Sequence, residues 1–256
     1  MLELNNVSMA IGKHPLTQNL SVQLQRGQIH VLIGPNGTGK TSLLRALFGE
    51  LPLQHGTISF QGRTLADLGA NQWRQQFGYM PQNTQLELDL SVLEVVVLGR
   101  LQSLKLRLSD DDLRAALRAL QDLGIAHLAD RPLHSLSGGQ RQMALFAQVL
   151  LRDPQIMMLD EPVSALDLQH QMHLMEHLHQ QTRDKNWVTL VVLHDLNLAA
   201  QFADQLIVLA DNRLQAFGPP AEVLTSELIT RLYQVPVDIH HDQDGLPYIR
   251  TLRQAS

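Results

Sequence analysis

The sequence predicts an α/β chain. Its core is a mixed, mostly parallel sheet, with an antiparallel β-subdomain at the N-terminus and an inserted helical subdomain. Three observations carry this prediction. Short apolar stretches such as "IHVLI" (29–33), "IMMLD" (156–160) and "VTLVVL" (188–193) alternate with segments of helical length, as in parallel strands joined by crossover helices. Residues 1–31 instead alternate polar and apolar, with a break at Gly27, which reads as antiparallel strands. From about Leu90 to Leu133 the pattern turns helical throughout.

The elements follow in order. After strand 29–33, "GPNGTGKTSLLRALFGE" reads as a loop and helix, and "GTISFQGRTL" (56–65) as a strand pair. "WRQQFGYMPQ" (73–82) reads as a short helix and a strand ending in Pro-Gln. "SVLEVVVLGRL" and "SDDDLRAALRALQDLG" are helices. In the second, Ser109 is the expected N-cap, Asp110 to Asp112 oppose the helix dipole, Leu113, Leu117 and Leu120 share a face, and Gly124 ends it. Then come helix 138–151, strand 155–160, a His-rich helix 167–181, strand 187–193, helix 195–202, strand 205–210 and a Pro-started helix pair. The expected organisation is one domain over 1–256, with a core of 1–82 and 154–256 and a helical subdomain of 83–153.

Composition narrows the function classes. Apolar residues make up 44% and aromatics 4% of 256 residues, so the core is Leu, Val, Ile and Ala. A net charge of −5 argues against nucleic acid as the main partner. The absence of cysteine excludes disulfides and thiolate metal sites and fits a reducing cytoplasm. Nothing resembles a targeting segment, and the longest apolar runs are too short to cross a bilayer. The expectation is a chain soluble by itself that meets a membrane through a partner.

"GPNGTGKTS" (34–42) lies between an apolar strand and an amphipathic helix, where a phosphate-binding P-loop must lie. Gly34, Gly37 and Gly39 let the backbone curl so that N–H groups face phosphate oxygens, with Pro35, Asn36 and Thr38 between them. Lys40 adds a point charge, Thr41 offers a hydroxyl to Mg²⁺, and Ser42 closes the nucleotide-binding stretch. "IMMLDEP" ends a buried strand in two acids. Adjacent strand residues face opposite sides, so Asp160 is assigned to Mg²⁺ and Glu161 to activating water as general base. Gln82, at a strand end, offers an amide to Mg²⁺ or the attacking water; taken alone it reads better as a surface-turn glutamine. His194 offers an imidazole to the γ-phosphate and to Glu161, or reads equally as the neighbour of a helix cap. "LSGGQ" (136–140) is a second helix start open to an anion.

P-loop, Pro-Gln, "LSGGQ", "LDEP", "SALD" and "LHD" occur in this order, and the whole set resembles the nucleotide-binding domain of ATP-binding cassette (ABC) transporters, over nearly the full chain. The resemblance implies the ABC ATPase fold, a P-loop NTPase core, with ATP and Mg²⁺ as ligands. It implies a head-to-tail homodimer in which Ser137, Gly138, Gly139 and Gln140 meet the ATP held by the other copy. By the same resemblance Ser164 and Asp167 belong to a loop crossing that interface, and Gln82 senses the nucleotide for a transmembrane partner.

The implied partners are two integral-membrane permease subunits, met by the helical region and above all by 83–108. A periplasmic or surface substrate-binding protein acts indirectly, and no nucleic acid is involved. The implied location is peripheral, on the cytoplasmic face of the inner membrane. "SALDLQHQ" and the "LHDLNLAAQF" tail resemble the group serving iron–siderophore, haem and cobalamin importers, with an iron complex preferred over cobalamin. A different class, a non-transport cassette acting on DNA or ribosomes, lacks support in paired cassettes, a coiled coil or a basic patch. The sequence departs from the family at Ile11, where many members stack adenine on an aromatic ring. The histidines at 170, 173, 177 and 179 read as a solvated polar face rather than an adventitious Zn²⁺ or Ni²⁺ site, and no iron binding by this chain is expected.

Overall fold

The computed structural model describes residues 1–82, 89–100 and 109–253. Two pieces of the stretch expected to meet a permease, 83–88 and 101–108, lie outside the described residues.

Strands β1 (Leu2–Ile11) and β2 (His14–Leu24) form a hairpin that turns at Gly12, where φ is 59°. β4 (His55–Phe60) pairs with β1, and β5 (Arg63–Thr64) with β4, giving an antiparallel sheet ordered β2-β1-β4-β5. The second sheet contains β3 (Gln28–Ile33), β6 (Phe77–Met80), β7 (Ile156–Asp160), β8 (Val188–Val192), β9 (Gln205–Ala210) and β10 (Arg213–Gly218). Its order is β10-β9-β3-β8-β7-β6, and all pairings are parallel except β9 with β10.

Parallel neighbours need crossover connections, and helices supply them. α1 (Lys40–Leu47) follows β3, and α2 (Leu65–Arg74) precedes β6. α3 (Val92–Val97), α4 (Asp110–Asp122) and α5 (Gly138–Leu151) lie between β6 and β7. α6 (Leu168–Asp184) and α7 (Leu196–Phe202) flank β8. The chain then adds α8 (Pro220–Val223), α9 (Ser226–Tyr233) and a hairpin of β11 (Val237–His241) and β12 (Pro247–Thr251). No helix of the described residues is long and apolar enough to cross a membrane.

Period-two alternation along the parallel strands divides two cores. Val31, Met157, Leu159 and Val191 face the cluster built with α3 to α7. Leu32, Met158, Leu190 and Val192 face the cluster built with α1 and the antiparallel sheet. Each fully buried leucine or valine is worth roughly 1.5–3 kcal/mol. The near-continuous apolar strands are therefore the response to a sheet covered on both faces.

Several details differ from the sequence expectations. α2 starts earlier than Trp73, at Leu65, where Thr64 and Asp67 form a capping box with Thr64 N–H on the Asp67 carboxylate at 2.7 Å; a kink at Gly69 (φ 72°) divides it, so that the second piece carries Trp73. On α4 the Ser109 cap and the left-handed Gly124 stop are present. Its buried face, however, runs through Ala116 and Leu120, and Leu117 is 37% exposed. β10, β11 and β12 were absent from the sequence expectation, since their apolar alternation is interrupted by "NRLQ" and "HHDQDG".

His30 lies fully buried in β3. Its Nε2 accepts from the Gln25 N–H at 3.2 Å, so Nδ1 carries the proton and donates to the Thr189 carbonyl at 3.2 Å. Burial lowers its pKa from 6.5 to about 4. The neutral form is the native one, so its contribution is complete above the unfolded pKa and fades as pH falls from 6.5 toward about 4. The shift corresponds to on the order of 3 kcal/mol. Urea midpoints at pH 7 and pH 4.5 will differ less in His30→Leu than in the native chain; parallel pH profiles would disprove the assignment.

Candidate active site

The ends of β3, β6, β7 and β8 share one edge of the sheet because those strands run parallel. The P-loop residues, Gln82, Glu161 and His194 arrive there together. A cavity of about 530 Å³ is lined by Asn36, Gly37, Gly39, Lys40, Thr41 and Ser42 from the loop after β3 and the start of α1, with Leu16, Gln82, Glu161 and His194 completing the wall.

The glycine loop is sterically determined. Gly34 has φ 149°, and a Cβ there would lie 2.0 Å from the Leu209 carbonyl oxygen. Gly39 has φ 89° and caps α1 without a side chain, leaving the first-turn N–H groups to an anion. Thr38 Oγ1 donates to the Pro35 carbonyl at 2.9 Å. Lys40 Nζ is buried and donates to the Gly34 and Pro35 carbonyls at 2.7 and 2.9 Å. Burial lowers the pKa of the ammonium, and Glu161 and Asp160 act in the opposite direction.

Asp160 ends β7 and is 1% exposed. Neither carboxylate oxygen has a partner in hydrogen-bonding geometry, although the Thr41 hydroxyl is close enough to oppose the effect of burial. Burial raises its pKa; Glu161 adds to that, while Lys40 and His194 act against it. A buried carboxylate lacking a partner, with the Thr41 hydroxyl near it and Gln82 lining the same cavity as Thr41, offers hard oxygen donors, which fits Mg²⁺. Among the described residues no group of three or more His, Cys, Asp or Glu side chains is placed to hold a metal ion, so the donors here are one carboxylate, a hydroxyl and an amide.

Glu161 diverges from Asp160, but not through the strand pleat. Its backbone leaves β7 in the left-handed region, φ 53°, while its N–H still donates to Val192 at 3.2 Å. Its carboxylate Oε1 lies 2.5 Å from His194 Nε2, which therefore bears the proton. Asp195 is the N-cap of α7, so His194 is the neighbour of a cap and the partner of Glu161 at once.

Ser137 to Gln140 lie elsewhere. Ser137 caps α5: its hydroxyl accepts from Gln140 N–H at 3.3 Å, and Gln140 Oε1 accepts from Ser137 N–H at 3.2 Å. These residues line a second cavity of about 580 Å³ together with Asp167 and His170. Asp167 is the N-cap of α6; the N–H and ring of His170 hold its carboxyl below the usual range. Ser164 Oγ donates to the Glu161 carbonyl at 3.1 Å. Ile11 is 53% exposed at the hairpin tip, and the apolar wall beside the P-loop is Leu16.

Among the remaining histidines, His173 Nε2 bonds the Asp122 carbonyl at 3.0 Å, and His177 packs edge-on to Phe146 at 6.4 Å. Two residues at the site escaped sequence reasoning. Tyr233 of α9 is pushed up to about 12 by burial, with a Gly34 backbone hydrogen bond acting the other way. Gln142 of α5 bonds the Glu161 carbonyl at 2.9 Å and the Ala165 N–H at 3.1 Å. Gln142 lies two residues beyond "LSGGQ", and no spacing rule marks it.

Known proteins match both sequence and shape. A family model for ABC transporters matches residues 17–164. The ferric enterobactin transport ATP-binding protein FepC of Escherichia coli K12 is 39% identical over 229 residues, 89% of this chain and 84% of that protein. The hemin import ATP-binding protein HmuV of Rhodococcus jostii RHA1 is 37% identical over 238 residues, 93% of this chain and 81% of that protein. A solved ABC transporter assigned to the metal-chelate type, in an inward-facing conformation, superposes with a TM-score of 0.84 at 28% identity, covering 99% of this chain and 98% of that one. The chain belongs to the ABC transporter family, as one of its ATP-binding cassettes.

Proposed function

We propose that the chain is the ATP-hydrolysing subunit of a bacterial importer for an iron complex, haem or a ferric siderophore. It drives two separate permease subunits by ATP-dependent, head-to-tail closure of two cassettes. The observation that carries the catalytic reading is the Glu161–His194 pair at 2.5 Å, in the wall of the cavity that holds Lys40 and Thr41. The names of the ferric enterobactin and hemin relatives support the cargo class.

Glu161 is the general base for the attacking water, and His194 holds its carboxylate through Nε2–H. Lys40 exchanges the Gly34 and Pro35 carbonyls for phosphate oxygens, which are stronger acceptors for an ammonium. Loop N–H groups and the α1 terminus receive the same phosphates. Asp160, Thr41 and Gln82 would hold Mg²⁺, which when bound supplies positive charge against the phosphate oxygens.

The dimer reading rests on the two separate cavities. Ser137, Gly138 and Gly139 present a helix N-terminus that shares no cavity with Lys40, so its phosphate comes from a second copy. Ser164, bonded to the Glu161 carbonyl, and Asp167, in the wall of the second cavity, belong to the loop that would cross that interface. Helices α3 to α5, within the helical subdomain 83–153, face the permease at the cytoplasmic side of the inner membrane, and the substrate-binding protein acts through the permease.

The deciding experiment co-purifies the chain with its permease and measures ATPase stimulation by binding protein loaded with haem, ferric siderophore or cobalamin. Stimulation by an iron complex is expected. Stimulation by cobalamin alone overturns the cargo, and recovery of the chain on DNA or polysomes instead of membranes overturns transport. Glu161→Gln will keep ATP binding and lose turnover by roughly 10²–10⁴-fold, the usual worth of a general base; wild-type turnover removes Glu161 from that role. Gly138→Asp will still bind ATP but neither dimerise on it nor hydrolyse it, since a carboxylate there repels the partner's phosphate. Normal dimerisation of that variant, seen by light scattering with ATP, counts against the two-copy site.

A further inference from the structure

We infer that Gln142 is a positioning residue. It couples the phosphate cradle at the start of α5 to the general base Glu161 of the same chain, and so links the two nucleotides of a cassette pair. The inference rests on the proposed roles of Glu161 and Ser137.

The Glu161 backbone is the weak point of the site. A residue with a β-carbon at φ 53° sits in a disfavoured region and persists only where its surroundings hold it. Its carbonyl receives Ser164 Oγ at 3.1 Å and Ser164 N–H at 3.3 Å, both from its own loop. The third donor, Gln142 Nε2 at 2.9 Å, comes from a different element. The other end of the same amide accepts the Ala165 N–H at 3.1 Å, so one side chain fixes both ends of the turn 161–165.

The α5 terminus is held against that turn by a second, steric contact. A Cβ on Gly139 would lie 2.9 Å from the Ala165 carbonyl and 3.3 Å from Leu166 Cδ2. Helix and loop therefore touch backbone to backbone, and α5 cannot shift along its axis without dragging the turn. Ser137 and Gln142 are five residues apart on one rigid helix. An anion drawn onto the α5 N-terminus moves the Gln142 amide, and the amide moves the Glu161 backbone.

In a head-to-tail pair the cradle of each chain meets its partner's ATP, while Glu161 serves the chain's own. Gln142 then reports the partner's nucleotide to the local base. A residue that only fills space does not create this dependence, and cooperativity of turnover separates the two cases.

The test uses the full chain and three variants. Gln142→Met keeps the length and loses both hydrogen bonds. Gln142→Glu keeps an acceptor for Ala165 but sets a carboxylate against the Glu161 carbonyl. Gln171→Met frees the same loop on its far side, where Gln171 Nε2 bonds the Val163 and Leu166 carbonyls at 3.3 and 3.0 Å without touching Glu161. Gln142→Met is expected to melt near the native temperature and bind ATP normally. Its kcat falls about 10–100-fold, the usual effect of a misplaced catalytic group, and its Hill coefficient falls to about 1. Gln142→Glu behaves alike, Gln171→Met keeps cooperativity, and Gln142→Met costs nothing further in the Glu161→Gln background. Native kcat and cooperativity in a folded Gln142→Met chain overturn the inference. So does a loss of cooperativity in Gln171→Met equal to that in Gln142→Met. Glu161→Gln in the same assay separates the levels: full turnover there removes the base itself, whereas lost turnover there with native behaviour of Gln142→Met removes only the coupling.

Discussion

Parallel pairing of β6, β7, β8 and β3 is the constraint on which the site depends. Because the four strands run the same way, Gln82, Asp160 with Glu161, His194 and the P-loop all emerge at one edge. One antiparallel reversal among them would send an essential group to the opposite edge. The right-handed crossovers that parallel pairing demands account for the helices, and covered faces account for the unbroken apolar strands. The antiparallel β9–β10 pair lies at the sheet's far edge, where it costs the site nothing.

At that edge the chain keeps its charges under tension. Asp160 is buried with neither oxygen bonded, and Lys40 is buried with its ammonium on two carbonyls. Burial works against the charge on each: it raises the acid and lowers the amine. They are not paired with each other in this state, which leaves one free for a cation and the other for phosphate. A direct Asp–Lys bridge would satisfy both and close the site to ATP. The glycine loop prevents this by supplying Lys40 with the Gly34 and Pro35 carbonyls, and the Leu209 carbonyl leaves no room for a side chain at position 34.

Much of this was legible in the sequence, for identifiable reasons. Gly34, Lys40 and Thr41 follow from spacing, because phosphate geometry admits few loops. Ser109 and the stop at Gly124 follow from capping chemistry. The Asp160 and Glu161 split was expected from strand alternation, yet it arises from a left-handed backbone at Glu161, a property no local pattern announces. His194 was balanced between two readings, and both describe it, since Asp195 caps α7 while His194 holds Glu161. Gln142 and Tyr233 were unreadable because their partners lie 19 and 199 residues away in sequence, Tyr233 against Gly34. Residues of that kind become visible only when the sheet has brought distant loops together. The β11–β12 hairpin is similar: it is held by Asn197, whose amide bonds the Ile249 backbone at 2.8 and 3.2 Å.

The two cradles differ in how they rest, and the difference has a physical reading. The first holds its cation on its own backbone and its helix N-terminus without a side-chain cap. The second spends its serine on its own helix, because Ser137 and Gln140 cap each other. Asp167 beside it is likewise consumed by His170. A neutral capping box contributes about 1 kcal/mol, whereas charge-assisted bonds to phosphate are roughly twice as strong as neutral ones. The capped second cradle is thus stable when empty and cheaply surrendered to an anion. The first, with a buried carboxylate lacking a partner and an ammonium held only by neutral carbonyls, gains more from a ligand. That ordering favours loading of the P-loop first and closure by the second cradle afterwards. Under the proposed head-to-tail pairing this sequence is required, because a pair closed before loading would shut its own entrance.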